Sequence, residues 1–303
     1  MAARSCGLNG RPDRTTLLEV QEFFNLPSPA LVEKDWHVVQ ALAAISAAAS
    51  DGLTLVFGGG TALGRAYGLL SRMSEDIDLR VVGDKATSRG ALQRMRGEIS
   101  GRLEAIGFTV EGHIDVKQSD RYVRYDLPYD PIMPGQGVLR PEIKIEVAAF
   151  PVRRSPIVLP VSSFCAEAVK RAPEVEGIPC VALEETAAEK FVALTRRTGE
   201  VFAGGKPDNT LVRHLYDLSR LDGRYDAADC VELAKETIEA DAARGYEAYK
   251  ADPFGETKRT VARMAKEDAV RADFDNLMAG MVYGEIPRFE AAIAVVEAFA
   301  ASI

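Results

Sequence analysis

The sequence predicts an α+β protein, a mixed sheet with helices against one side of it, followed by a mainly helical C-terminal part. Three observations carry this expectation. Between about residues 50 and 150, apolar runs of strand length alternate with Gly- and Asp-containing turns and one long helical stretch. From Leu183 onward the text changes to long helical periods with few strand signals. The chain has 303 residues, enough for two cores on a prior of about 150 residues per domain. The expected divisions are an N-terminal helical segment at 1–52, a sheet-bearing core at 53–165 and a helical domain at 166–303.

In chain order, Ser28-Pro29 reads as a helix start, with Ser as N-cap and Pro at the first helical position. That helix runs through Trp36 and His37 to near Ser50, where Asp51-Gly52 turns the chain. Leu53 to Phe57 is an apolar strand that breaks at Gly58, Gly59 and Gly60, and Thr61 is placed to cap a helix ending near Leu70. A second strand carries Asp76 and Asp78 and continues from Leu79 to Val82, with a turn at Gly83-Asp84. A helix is expected from about Ser88 to Ile106, then extended segments at Phe108 to Val116, Arg121 to Leu127 and Val138 to Phe150. Beyond a boundary region near 155–180, Glu184 to Leu194 forms a helix with acids in its first turn. A loop follows at Gly199 to Asn209, and a second helix begins at Arg213.

Composition narrows the class. An apolar fraction of 47% and a mean hydropathy of -0.07 describe a soluble globular chain. There is neither an apolar run of membrane-spanning length nor a secretory signal, so cytoplasmic residence is expected and no membrane partner. Cys6, Cys165, Cys180 and Cys230 lack zinc-ligand spacing and read as reduced and structural, and His37, His113 and His214 are isolated. Carboxylates are therefore the main candidate metal ligands. A net charge of -8 argues against broad, non-specific binding of nucleic acid. The charge is uneven: 12 Lys and Arg face 11 acids in residues 140–220, against 15 and 17 before them and 10 and 17 after them.

Asp76 and Asp78 stand two apart, so an extended chain sets both on one face while Ile77 and Leu79 turn inward. Two such carboxylates repel, which raises a pKa or invites a hard cation such as Mg²⁺ (or Mn²⁺) shared with substrate phosphates. Upstream, the glycine turn lets a phosphate approach the backbone closely. No Gly-Lys-Ser/Thr follows it, and the dinucleotide spacing also fails. Each half alone has an ordinary reading, a solvated strand face or a turn with a cap; their order and spacing favour a nucleotide site. Glu142, Lys144 and Glu146 alternate with Ile143, Ile145 and Val147, so Glu146 joins the pair if its strand lies beside theirs, and otherwise marks a solvated edge strand. Lys190 sits about six residues into its helix. Asp217 lies four after Arg213 and is placed to pair with it or with Lys190.

Six segments together resemble one family: Glu33-Lys34-Asp35, Gly59-Gly60-Thr61-Ala62-Leu63, Arg72-Met73-Ser74-Glu75-Asp76-Ile77-Asp78-Leu79, Lys144-Ile145-Glu146-Val147, Ala188-Glu189-Lys190 and Arg213-His214-Leu215-Tyr216-Asp217-Leu218. In this order they look like the AbiEii/AbiGii nucleotidyltransferase toxins of type IV toxin–antitoxin systems, which act in abortive infection and phage defence. The resemblance implies a DNA polymerase β-like nucleotidyltransferase fold with a helical C-terminal part. It implies Gly59, Gly60, Thr61, Ser74 and Lys190 as NTP-binding, Asp76, Asp78 and Glu146 as metal-holding, and Lys190 and Asp217 as nucleotide-handling and catalytic, with Asp217 or Glu146 as base. It further implies Mg²⁺ (or Mn²⁺), an NTP substrate, the 3′ end of tRNA as acceptor and a cognate antitoxin encoded nearby. His214 stands where relatives often show an acid. Transfer to a protein or small molecule, and a non-catalytic nucleotide- or partner-binding module, are the alternatives.

Overall fold

The computed structural model describes residues 10–83, 88–133, 139–246, 249 and 251–303. The chain forms two compact units, one of residues 1–68 and 73–181, the other of residues 69–72 and 182–303. The expected turn residue Asp84, the strand start Val138 and Cys6 lie outside the described residues.

The first unit is built on a seven-stranded mixed sheet. Its strands are β1 (Leu53–Gly58), β2 (Asp76–Gly83), β3 (Ile114–Lys117), β4 (Tyr122–Pro128), β5 (Glu142–Ala148), β6 (Ile157–Val161) and β7 (Val175–Cys180), in the order β3-β4-β5-β2-β1-β7-β6. β2 runs antiparallel to β1 and parallel to β5. Strict alternation in β2, β4 and β5 turns Ile77, Leu79, Val123, Tyr125, Ile143, Ile145 and Val147 into the core. Helices α2 (Pro29–Ile45) and α4 (Arg89–Ala105) supply Val38, Leu42, Met95 and Ile99 to the same core. The alternate residues of these strands face outward and carry the charges. α1 (Arg14–Phe23) and α5 (Phe164–Ala168) complete this unit.

Local chemistry explains most boundaries. The Ser28 hydroxyl accepts from the Ala30 N–H and Pro29 opens α2; Ser88 caps α4 through the Ala91 N–H. The expected strand at Phe108 to Val116 shrinks to β3, because Gly107 and Gly112 adopt positive φ and turn the chain before Ile114. The sheet also gains β6 and β7, which carry the first unit to Val181, past the expected division at 165.

The second unit holds α6 (Leu183–Phe202), α7 (Arg213–Leu221), α8 (Ala227–Ala243), α9 (Pro253–Met264), α10 (Asp268–Met281) and α11 (Phe289–Ser302). Its core buries Phe191, Leu194, Leu215, Leu218, Leu233 and Phe274, and Phe191 stacks on Phe299 with ring centroids 4.1 Å apart. α6 runs past the expected loop start at Gly199, because Arg196 pairs with Glu200 one turn on and lies over the Tyr246 ring. Among the described residues no helix is long and apolar enough to cross a membrane.

Candidate functional site

β2 and β5 set the acidic face. Their parallel register places Asp76 opposite Lys144 and Asp78 opposite Glu146, all on the outward side of the sheet. Lys144 sits among the acids, its Nζ 3.6 Å from Asp76 Oδ2 and ion-paired with Glu146. Burial works against the ammonium, yet Glu146, Asp76 and Asp78 together raise its pKa above the ordinary lysine value. The Tyr122 hydroxyl also bonds to Glu146. Among the described residues no three His, Cys, Asp or Glu side chains converge as a metal cage. The donor chemistry nonetheless suits a hard divalent cation: carboxylate oxygens on adjacent strands, with an ammonium already drawn to them.

The glycine turn lies directly against this face. Gly59 has φ +72°, and a Cβ there would fall 1.8 Å from Asp78 Oδ2, so only glycine leaves room for the carboxylate. A helical turn, α3 (Gly59–Thr61), starts here and loosens into a π turn over Ala62–Ala66. The expected cap at Thr61 and helix to Leu70 are therefore replaced. Gly58 precedes the first turn, the Thr61 hydroxyl donates instead to the Asp76 carbonyl, and the helical path stops at Ala66. That bond ties the turn to the start of β2. Ser74 is half-buried just before β2.

α2 braces the same region through three consecutive buried charges. Glu33 accepts from the Ile132 and Met133 N–H groups at 2.7 and 2.9 Å and pairs with Arg11. Lys34 donates to Glu75 and, at 3.0 Å, to the Arg140 carbonyl. Asp35 accepts from the Phe164 N–H at 2.8 Å and lies 3.5 Å from Arg65 Nε. Lys34 thus joins the residue before β2 to the approach of β5. Burial pushes the Asp35 carboxyl up to about 6 despite Arg65, and burial brings the His37 imidazole down to about 4. The resemblance includes this Glu-Lys-Asp run without implying a role for it. Its signal is that three adjacent residues on a helix point through about 200° of arc, so they cannot share one solvated side.

In the second unit, Asp217 on α7 and Lys190 on α6 meet as one of the two expected pairings. Asp217 Oδ2 accepts from Lys190 Nζ at 2.7 Å. Its other partner is Arg72, not Arg213: Arg72 Nε and Nη2 grip the two oxygens at 2.6 and 2.7 Å. Burial acts to raise the Asp217 carboxyl, but the two cations outweigh it and hold it well below the usual range. A fully buried, triply bonded, strongly acidic carboxylate is poorly suited to take a proton. His214 is buried beside this cluster, its Nδ1 has no hydrogen bond among the described residues, and burial drives its pKa far down. Arg72 is the member of this buried network that sequence reasoning passes over, because it belongs to no helix or strand and its partner lies 145 residues away.

The family model described as "Nucleotidyl transferase AbiEii toxin, Type IV TA system" matches residues 40–295. A solved structure, MenT4, a nucleotidyltransferase toxin from Mycobacterium tuberculosis H37Rv, is similar in fold, with TM-score 0.53 and 19% identity over 92% of this chain and 98% of that one. No curated protein matches significantly. The mixed sheet with its helical companion is accordingly the nucleotidyltransferase fold, and the chain belongs to the AbiEii family of nucleotidyltransferase toxins of type IV toxin–antitoxin systems.

Proposed function

We propose that this protein transfers a nucleoside monophosphate from an NTP to an acceptor hydroxyl, the 3′ end of tRNA, and so blocks aminoacylation and growth until a cognate antitoxin counters it. The observation that carries the reading is the packing of Asp78 onto Gly59, which sets the glycine turn directly against the acidic face. Asp76 and Asp78 would hold Mg²⁺ or Mn²⁺, with Glu146 beside them. When bound, the metal supplies charge neutralisation for the triphosphate. Gly59 lets the turn come up against Asp78, and Thr61 fixes the turn to β2 through the Asp76 carbonyl.

Of Asp217 and Glu146, Glu146 is better suited to accept the acceptor's proton: its side chain is 28% exposed, whereas Asp217 is fully buried between Arg72 and Lys190. Asp217 instead holds Lys190 and Arg72, two cations on one anion, a surplus of positive charge suited to a phosphate. Both substrates belong to the cytoplasm, where the protein would act.

The test is incubation of purified protein with each α-labelled NTP, Mg²⁺ and total tRNA, beside an Asp76→Ala variant. Label on tRNA with wild type alone is the expected result, with the variant melting within about 3 °C of wild type, as a change on an outward strand face allows. Full activity of Asp76→Ala would sink the metal assignment. Label on protein or on a small molecule instead would move the acceptor to those classes, which the acidic net charge of -8 suits.

A further inference from the structure

The acidic face contains its own cation. Lys144 lies between Glu142 and Glu146 along β5 and opposite Asp76 across the sheet, so strand geometry alone directs its stem into the carboxylates. Its ammonium pairs with Glu146 and approaches Asp76 at 3.6 Å. Arg124, opposite Glu146 on β4, is turned to Asp126 at 2.9 Å.

We propose that Lys144 is the resident counter-cation of Asp76, Asp78 and Glu146, and that a divalent metal takes its place when nucleotide binds. The inference rests on the reading of Asp76 and Asp78 as the metal-holding pair. Carboxylates crowded on one face repel, and an ammonium set among them offsets part of that repulsion. An ammonium and a metal ion cannot both occupy the space between the same oxygens. The Lys144 side chain is 34% exposed on a flexible four-carbon stem, so it can swing outward without disturbing the Ile143 and Ile145 core contacts on the opposite face. Metal therefore binds against a competitor built into β5. Nucleotide helps it win, because the triphosphate offers the displaced ammonium a new anionic partner.

The experiment is Mn²⁺ titration of the full-length protein, read by loss of the free-ion paramagnetic resonance signal, for wild type, Lys144→Met, Lys144→Gln and Asp78→Asn. Both Lys144 variants should bind Mn²⁺ on the order of tenfold more tightly than wild type, the weight of one nearby charge at a half-buried site. In EDTA they should melt below wild type, and saturating Mn²⁺ should remove that difference. Binding that is unchanged or weaker in both variants overturns the inference, since a phosphate-contacting or purely structural lysine would give that result. Should wild type itself bind no Mn²⁺, or Asp78→Asn bind as wild type does, the metal reading falls and this inference with it. A bound wild type whose Lys144 variants fail to tighten removes the inference alone.

Discussion

Replacing Asp217 by Asn decides whether this carboxylate is an anchor or a base. The side chain is fully buried and accepts three hydrogen bonds of 2.6 to 2.7 Å from Arg72 and Lys190. Asparagine keeps the volume, removes the charge and strands two cations whose side chains are only 4% and 10% exposed. Removing one partner of a buried ionic network costs about 3–5 kcal/mol, and the low exposure on all sides places this site toward the upper part of that range. Urea denaturation followed by circular dichroism measures it, with Arg72→Met alone and in combination. Because the three groups share one network, the double variant should cost at least about 1 kcal/mol less than the sum of the singles. The pH dependence has a definite sign. The folded carboxyl is held below its ordinary value of 3.8, so the stability it adds is present above that value and is lost as pH falls toward the folded one. The gap between wild type and Asp217→Asn should therefore narrow below about pH 4. A variant within about 0.5 kcal/mol of wild type, yet devoid of transfer, would refute the anchor and restore the base.

Three further outcomes are expected. Gly59→Ala combines a left-handed φ with a clash on Asp78, and should cost about 2–4 kcal/mol and abolish Mn²⁺ binding; wild-type melting and affinity would contradict the close approach. Asp35→Asn removes a carboxyl raised to about 6, whose stabilisation is full below 3.8 and disappears as pH rises through 6, a swing of about 3 kcal/mol. His37→Gln removes the opposite swing, also about 3 kcal/mol, because a neutral imidazole with pKa about 4 favours the fold above 6.5 and loses that advantage as pH falls. The two nearly cancel in wild type, so between pH 4 and 6.5 each single variant should gain a slope of opposite sign relative to wild type in denaturation curves; parallel curves would contradict it.

Much of the acidic strand pair was legible because strand periodicity is local. The alternation in Asp76–Leu79 and in Glu142–Val147 assigns faces without any knowledge of neighbours, and the parallel pairing that brings Glu146 opposite Asp78 needed only that the two strands be adjacent. Ser28-Pro29 was equally plain, since a cap acts within three residues. β6 and β7 were not legible. Val158 and Ile157 on β6 are exposed and Pro160 interrupts the run, so neither alternation nor a continuous apolar stretch marks it. Thr61 has the residue type of a cap but spends its hydroxyl on Asp76, a choice fixed by the fold of β2. The Arg72–Asp217 pair is invisible for a similar reason: nothing within a helical turn of either residue encodes a contact between positions so far apart.

The assignment of Leu69–Arg72 to the second unit has a bearing on how such proteins can be dissected and inherited. A gene cut after Val181 would yield a C-terminal fragment that keeps Lys190 and Asp217 but has left behind the arginine that completes their network. The same fragment would lose the Ser71 backbone, which bonds to the Tyr216 hydroxyl and to the Tyr283 N–H. The helical part is thus discontinuous in the gene, with four of its residues encoded inside the other unit. Recombination that swaps helical halves between relatives at the obvious junction would exchange an incomplete piece, and such chimaeras should persist only where the donor and recipient share the short stretch around Arg72.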